Sequence, residues 1–193
     1  MLLPHRFHRL TLTYDFSKQI RFLFSAVNKK KEYHGRKLVG YSMDQMYSVV
    51  ADVKNYKHFV PFCKKSHILV TKDAYMKAEL EIGFPPIVES YTSHVTLMEP
   101  YLVNARCVDG TLFEFLETNW KFSPGLKSNA QSCIIDFSIR FEFKSLFHSH
   151  VALMFFEKLV NQMEWAFITE AKRRYGTESL PSHQLTTPKS RPS

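Results

Sequence analysis

The side chains that could carry out chemistry are few, and their spacing is poor. Cys63 and His67 stand four residues apart, which on a strand separates them by ~13 Å, too far for a thiol–imidazole pair. His148 and His150 stand two apart near the start of a predicted helix, where they cannot share a face as metal ligands usually do. We therefore expect surface histidines, no metal site and, since the three cysteines form no CxxC pair, reduced thiols.

Glu89 is the acidic residue whose position could matter most. It shares the strand parity of Ile87, Tyr91 and Val95, which we assign to the inward face of a strand. A carboxyl group among apolar side chains would have a raised pKa and could hydrogen-bond the polar end of a ligand. A salt bridge near the edge of the sheet is the alternative interpretation.

Sequence motifs of catalysis are absent. The chain has no G-x-S-x-G elbow, no GxxxxGK loop, no GxGxxG fingerprint and no HExxH pair. We therefore expect no catalytic residues and no enzymatic activity.

The apolar candidates are better placed than the polar ones. Residues 60–62 end a predicted helix where the mouth of an apolar cavity should lie, and we expect the GFPP segment to form a loop that faces them. The predicted ligand-binding residues are Val60, Pro61, Phe62, Phe84, Pro85, Glu89, Tyr91, Phe115, Trp120, Phe155, Leu159 and Met163. Ordinary core packing is the alternative; it is strongest for the inward-facing Phe137 and Phe141 and weakest for Phe62 and Phe84.

The elements that must position these residues begin with two helices. Ser42 followed by Gln45 forms a capping box, and apolar residues then recur at helical spacing through residue 53. A second, short helix is predicted over 55–60, because Pro61 cannot continue it.

From Cys63 onward the apolar period changes to two. The segment CIIDFSIRFEF alternates most strictly, with Cys133 through Phe143 in every second position on one face. Such alternation gives one dry and one wet face, which is typical of an antiparallel sheet. Asp109-Gly110 between two such segments predicts a hairpin.

A long amphipathic helix follows, predicted from His148 to Tyr175 and ended by Gly176. Its apolar arc runs from Ala152 to Phe167. Trp165 lies outside that arc, so it either faces a membrane or partner or packs on neighbouring loops.

The element order is therefore a strand, two helices, six strands and a long helix. This order predicts an α+β helix-grip fold, a curved antiparallel sheet wrapped around the C-terminal helix with an apolar cavity between them.

The two ends of the chain differ from its middle. Residues 1–40 carry nine basic and two acidic residues, a net charge of +7, whereas residues 41–176 are neutral. The basic leader over 1–32 is typical of a mitochondrial transit peptide, with a disordered basic tail as the alternative. We expect a lipid-binding domain over 33–176 and, over 177–193, a disordered Pro/Ser/Thr-rich tail. The neutral middle argues against nucleic acid as a partner.

Four segments in order, YSMDQMYSVVADVKNYKHFVPFC, LEIGFPPIVESYTSHVTL, VDGTLFEFLETNWKFSPG and IDFSIRFEFKSL, carry a family resemblance. The chain resembles the mitochondrial coenzyme Q-binding proteins, which belong to the polyketide-cyclase-like branch of the START-domain superfamily.

The resemblance implies a helix-grip fold with a deep apolar tunnel, ubiquinone (coenzyme Q) as bound ligand and no catalytic cofactor. It also implies a peripheral position on the matrix side of the inner mitochondrial membrane. The family's role is to support quinone function in respiration and efficient ubiquinone biosynthesis, so respiratory-chain or quinone-biosynthesis proteins are implied as partners.

Two other functions remain open on the same fold. Some bacterial relatives interfere with ribosome assembly, which suggests a ribosome-associated module. The fold also hosts cyclases and aromatases, but an enzyme of that kind needs inward acid–base pairs, and Glu89 is the single inward acid found.

Overall fold

A computed structural model describes residues 30–84, 87–145, 156–185 and 189–192. The helices are α1 (Met43–Ala51), α2 (Tyr56–Phe59) and α3 (Phe156–Tyr175), with a 3₁₀ turn over Val53–Asn55. The strands are β1 (Lys30–Val39), β2 (Cys63–Lys72), β3 (Tyr75–Phe84), β4 (Ile87–Met98), β5 (Leu102–Gly110), β6 (Phe113–Pro124), β7 (Cys133–Phe143), β8 (His183–Gln184) and β9 (Lys189–Pro192).

The strands form one antiparallel sheet in the order β2-β3-β4-β5-β6-β7-β1-β8, and β9 also pairs with β1. Each strand from β2 to β7 pairs with the next along the chain, while β1 pairs with β7 over its whole length. The sheet curls around α3, so the predicted helix-grip fold of the α+β class is confirmed.

The core lies on the concave face of this sheet. Every second residue of β7 from Cys133 to Phe143 is buried, as the alternation predicts. The apolar face of α1 packs against one end of the same core, with Met46, Val49 and Val50 fully buried. The apolar face that the alternation predicted is therefore the face on which the helices pack.

The predicted start of α1 and the predicted end of α3 are both present. The Ser42 hydroxyl accepts a hydrogen bond from the Gln45 backbone at 3.2 Å, and the Gln45 side chain accepts one from the Ser42 backbone at 3.0 Å. At the end of α3, Gly176 adopts a positive φ of 85° and its N–H donates to the Lys172 carbonyl at 2.9 Å. The predicted start of this helix at His148 lies outside the described residues.

Two predicted boundaries need correction. β1 begins at Lys30, so the folded domain includes residues that we assigned to the leader. The tail predicted to be disordered over 177–193 contains β8 and β9, which pair with β1, and the Ser179 N–H donates to the Gly40 carbonyl at 2.9 Å. The reason is that β1 would otherwise be a free sheet edge. Backbone pairing along that edge needs no apolar periodicity in the tail.

In the described ranges, no helix is long and apolar enough to cross a membrane.

Candidate functional site

A cavity of about 210 Å³ lies between the concave face of the sheet and α3. Strands β3 to β7 form its floor, α3 forms its roof, and the segment from α2 to the start of β2 closes one side. The predicted apolar enclosure is thus present as a cavity in the fold.

The alternation of β3 and β4 builds one half of the floor. Their inward residues are paired across the two strands, Leu80 opposite Tyr91 and Ala78 opposite Ser93. Because side chains alternate along a strand, every second residue of each strand reaches the cavity. The inward set from these two strands is Ala78, Leu80, Ile82, Tyr91, Ser93 and Val95.

Aromatic rings build the other half of the wall and hold α3 against the sheet. The Trp120 ring lies 4.3 Å from that of Phe137 and 4.7 Å from that of Phe167, centroid to centroid. Phe113 and Phe143 stack at 5.1 Å. Such contacts add about 0.5–1.5 kcal/mol each to the burial of the rings. These rings therefore keep this part of the wall rigid.

The mouth of the cavity is the loop between α2 and β2. Pro61 and Phe62 line both the cavity and an open groove on the outer side of α3, which also contains Phe59 and Trp165. Phe62 adopts a positive φ of 63°, a conformation that costs a residue with a Cβ roughly 1–2 kcal/mol. Its carbonyl accepts a hydrogen bond from the Gly83 N–H at 2.8 Å, which holds the loop against β3.

The polar groups on the wall are neutral. Tyr56 donates its hydroxyl to the Val50 carbonyl at 2.5 Å, and the Cys63 thiol donates to the Lys65 carbonyl at 3.3 Å. Burial raises the pKa of the Cys63 thiol to about 11 and raises the pKa of both Tyr56 and Tyr91 above that of an ordinary phenol. Among the wall residues that the structure describes, none carries a charge. The cavity therefore suits an uncharged ligand.

The structure brings most of the predicted site residues together. On the cavity wall lie Val60, Pro61, Phe62, Tyr91, Trp120, Leu159 and Met163. The side chains of Phe84, Pro85 and Phe155 fall outside the described part of the chain. Of the two inward phenylalanines with core packing as the strong alternative, Phe141 lines the cavity, while Phe137 is buried behind Trp120.

The prediction for Phe115 is wrong. Phe115 pairs with Glu142 on the outward face, in regular register with Trp120, and a β-bulge between Phe113 and Phe115 turns Phe113 inward opposite Phe143. Its ring lies 5.9 Å from the Lys30 ammonium. Phe113 takes the place on the wall that we assigned to Phe115. Parity offers a warning, because Phe115 and Trp120 stand an odd number of residues apart and regular alternation puts them on opposite faces.

Glu89 has the predicted parity but not the predicted place. It pairs with Ile82, which lines the cavity, yet Glu89 itself lies beyond the described wall. Its carboxylate accepts a hydrogen bond from the Thr111 hydroxyl. Glu89 therefore joins β4 to the turn between β5 and β6 at the rim instead of facing the ligand space.

A buried polar cluster on another side of α3 was missed from the sequence. Glu164 is 3% exposed, accepts a hydrogen bond from the Tyr33 hydroxyl at 2.9 Å and forms an ion pair with Lys37 at 3.0 Å. The Lys37 ammonium also lies 5.5 Å from the ring centroid of Trp165, which is 54% exposed, as its place outside the apolar arc suggests. The cluster attaches α3 to β1.

A second polar cluster attaches the end of α3 to the loop after α1. Arg174 forms an ion pair with Asp52 at 2.6 Å, and Glu170 accepts hydrogen bonds from Arg173 and Arg174 at 2.7 Å. These hydrogen bonds lower the pKa of Glu170 to about 2, and the bond from Arg173 has the largest effect. Both clusters fix the helix over the cavity without entering it.

Comparison with known families and proteins agrees with this architecture. The model of the family described as polyketide cyclase/dehydrase and lipid transport matches residues 39–168. A solved aromatase/cyclase, Zhui from Streptomyces, superimposes with a TM-score of 0.65 over 75% of this chain and 95% of its own, at 16% identity. At that identity the likeness shows the fold alone.

Relatives in sequence are more informative. The chain is 48% identical over 184 residues to "Coenzyme Q-binding protein COQ10, mitochondrial" of Drosophila melanogaster, covering 95% of this chain and 72% of the relative. It is 49% identical over 154 residues to "Coenzyme Q-binding protein COQ10 homolog B, mitochondrial" of Xenopus laevis, covering 80% and 63%. "Ribosome association toxin RatA" of Escherichia coli is 33% identical over 138 residues, covering 72% and 85%.

Proposed function

The chain belongs to the coenzyme Q-binding family within the polyketide cyclase/dehydrase and lipid transport group, and we propose that it binds coenzyme Q (ubiquinone) or a related prenyl quinone without transforming it. The observation that carries this proposal is the neutral apolar cavity between the sheet and α3.

The physical basis is the cost of a prenyl chain in water. Each Å² of apolar surface removed from water contributes about 25 cal/mol, so enclosing even part of a prenyl quinone is strongly favourable. A quinone ring carries no charge, and it adds carbonyl oxygens that need few polar partners. A neutral wall with isolated hydroxyl groups matches both parts of such a molecule.

The size of the cavity limits how much of the lipid it can enclose. Its volume of about 210 Å³ lies below the roughly 300–1,000 Å³ usual for small-molecule sites. We therefore propose that the ring and the start of the chain enter, and that the rest of the chain leaves through the mouth at Pro61 and Phe62.

The charge around the mouth supports exchange with a membrane surface. Residues 52–65, which form the mouth segment, carry four lysines and one acid, a net charge of +3. Residues 66–145, which form most of the sheet, carry seven basic and ten acidic residues, a net charge of −3. An anionic bilayer attracts basic segments by roughly 1 kcal/mol for each Lys or Arg near its surface. The mouth would thus face the bilayer, next to the exposed Trp165.

We propose for the cellular role that the protein acts as a quinone chaperone at the inner mitochondrial membrane, on the matrix side. There it would support respiratory electron transport and ubiquinone biosynthesis, through contact with proteins of those pathways. The word "mitochondrial" in the names of the fly and frog relatives supports this location.

The two tryptophans of the chain allow a direct test. Trp120 lines the cavity and Trp165 is exposed, so a Trp165→Phe variant reports on the cavity alone. A ubiquinone with a short prenyl chain should quench its fluorescence saturably, and the protein should extract ubiquinone from vesicles. Unquenched Trp120 fluorescence together with no extracted lipid would refute quinone binding.

The likeness to RatA makes ribosome binding the natural alternative in this test. Cosedimentation with mitochondrial ribosomes, with no lipid bound, would favour it. Turnover of a polyketide-like substrate would instead favour a cyclase.

A further inference from the structure

Tyr91 stands out among the polar groups on the cavity wall. The phenols and thiols around it have acceptors: the Tyr56 hydroxyl donates to Val50, and the Cys63 thiol donates to Lys65. The Tyr91 hydroxyl has no hydrogen-bond partner within the described ranges of the chain. Tyr91 is partly buried against the core, and a hydroxyl that is shielded from water without a partner costs free energy, so natural proteins rarely keep one without a use.

The place of this side chain in the cavity follows from the strand register. Tyr91 pairs with Leu80 of β3, and Ile82, two residues along β3, pairs with Cys63 at the start of β2. All four residues line the cavity, so Tyr91 lies on the inward face and shares the wall with the first residue of β2.

Two features hold the ring of Tyr91 in place. The Phe113 ring packs edge-on against it, with centroids 5.5 Å apart. Gly110 is its neighbour on β5, with a positive φ of 143°, and a Cβ on Gly110 would come within 2.8 Å of the Cβ of Tyr91. A glycine at this position therefore leaves space for the Tyr91 side chain. Together with the Phe113 ring it fixes the position of the phenol.

Other hydroxyl groups on the wall reach less far. Ser93 and Thr118 also line the cavity, but their oxygen is attached directly to Cβ and stays near the backbone. A tyrosine carries its hydroxyl at the far end of a ring. Since burial keeps Tyr91 protonated, the group is a donor at every physiological pH.

We propose that the Tyr91 hydroxyl donates a hydrogen bond to a carbonyl oxygen of the quinone ring and so selects oxygenated head groups over bare prenyl chains. This inference rests on the proposed function, because it names the head-group contact of the same cavity. The apolar wall binds any prenyl chain, and Tyr91 makes the difference between a quinone and a hydrocarbon of similar size.

The test compares Tyr91→Phe with the wild-type protein, using a short-chain ubiquinone and squalene as probes. We expect Tyr91→Phe to weaken ubiquinone binding about tenfold, the loss typical of one buried hydrogen bond. Squalene, which has no oxygen, should bind both proteins equally. An equal affinity of both proteins for ubiquinone would overturn the assignment, whereas a wild-type protein that binds neither probe would refute the proposed function itself.

Two further measurements separate recognition from a structural role. In the infrared spectrum of carbonyl-labelled ubiquinone, one C=O band should shift to lower frequency on binding to the wild type and return in Tyr91→Phe. Ligand-free Tyr91→Phe should melt no lower than the wild type, because it loses no internal bond, whereas Tyr56→Phe should melt lower because it loses the bond to Val50. An unshifted carbonyl band in the wild-type complex, or a lower melting temperature of Tyr91→Phe, would contradict the proposal.

Discussion

The two sides of α3 contrast sharply. One side, with Leu159, Val160, Met163 and Phe167, faces empty apolar space. The other sides are tied by charge, at Glu164 to β1 and at Glu170 and Arg174 to the loop after α1. A closed, dry cavity of 210 Å³ would lower the free energy of unfolding by on the order of 5 kcal/mol, at about 24 cal/mol per Å³. The contrast teaches that polar contacts outside the cavity hold the helix where tight apolar packing would leave no room for a ligand.

The largest expected effect comes from breaking the Glu164 cluster. Glu164→Leu leaves the Lys37 ammonium, whose side chain is 12% exposed, without its carboxylate. Removing one partner of a buried ion pair typically costs about 3–5 kcal/mol, so urea unfolding should show a loss of that size.

The double variant Glu164→Leu/Lys37→Met serves as the control. It removes both charges and should recover most of the lost free energy of unfolding. If Glu164→Leu alone unfolded at the wild-type urea concentration, the cluster would have no role in holding α3.

Filling the cavity should separate binding from folding. Ala105 faces the cavity, and Ala105→Phe places a ring in the empty space. We expect short-chain ubiquinone to bind at least tenfold more weakly, a change of about 1.4 kcal/mol, while thermal unfolding changes little. Thr96→Phe, at an exposed position of the neighbouring strand, is the matched control and should leave quinone affinity unchanged. Equal binding by both variants would place the ligand elsewhere.

The two sides should also differ in their response to pH. The folded pKa of Glu170, about 2, lies below its unfolded value of roughly 4.3. The stability that this group contributes is therefore fully present above the unfolded pKa and is lost as the pH falls toward 2. Glu170→Gln should accordingly show a smaller drop in unfolding free energy between pH 5 and pH 3 than the wild type does, measured by urea titration at each pH. A drop equal to that of the wild type would count against a stabilising role of the Glu170 carboxylate.

Quinone binding, unlike stability, should not depend on pH. The described wall has no charged side chain, and the raised pKa of Tyr56, Tyr91 and Cys63 keeps them neutral. Affinity for short-chain ubiquinone should therefore stay constant from about pH 5 to pH 9. A change of affinity with pH within that range would mean that an ionisable group faces the ligand.

The smallest effect is expected at Trp165. Its contact with the Lys37 ammonium at an exposed site is worth about 0.5–1 kcal/mol to folding. Trp165→Ala should therefore lower stability slightly and leave the affinity for free quinone intact, but it should weaken association with anionic vesicles in a sedimentation assay. Tyr175→Ala, also an exposed aromatic position of α3, provides the comparison. Unchanged vesicle association of Trp165→Ala would remove this face of α3 from the proposed contact.

Local patterns predicted much of the fold and part of the site. The alternation of β7 identified its buried face, and the capping box at Ser42 located the start of α1. Wherever alternation is regular, it also predicted wall residues, such as Tyr91 and Trp120. Our assignment of Phe115 to the wall went against this alternation, and Phe113 lies on the wall because a bulge changes the face of every residue that precedes it relative to those that follow.

Contacts between distant segments lay beyond such patterns. Tyr33 and Glu164 are 131 residues apart, and nothing local distinguishes Glu164 from the exposed charges of an amphipathic helix. The tail strands β8 and β9 depend likewise on the free edge of β1, which exists only once the sheet has formed.

By itself, the sequence determined the inward face of the regular strands, the start of α1, the end of α3 and the apolar character of the space they enclose, because these follow from backbone periods and neighbouring side chains. Only the tertiary structure decided that this space stays open and that the Tyr91 hydroxyl stands in it without a hydrogen-bond partner among the described residues. The physical reason is that a cavity is what remains after distant elements have packed, and its size depends on contacts that no local pattern contains.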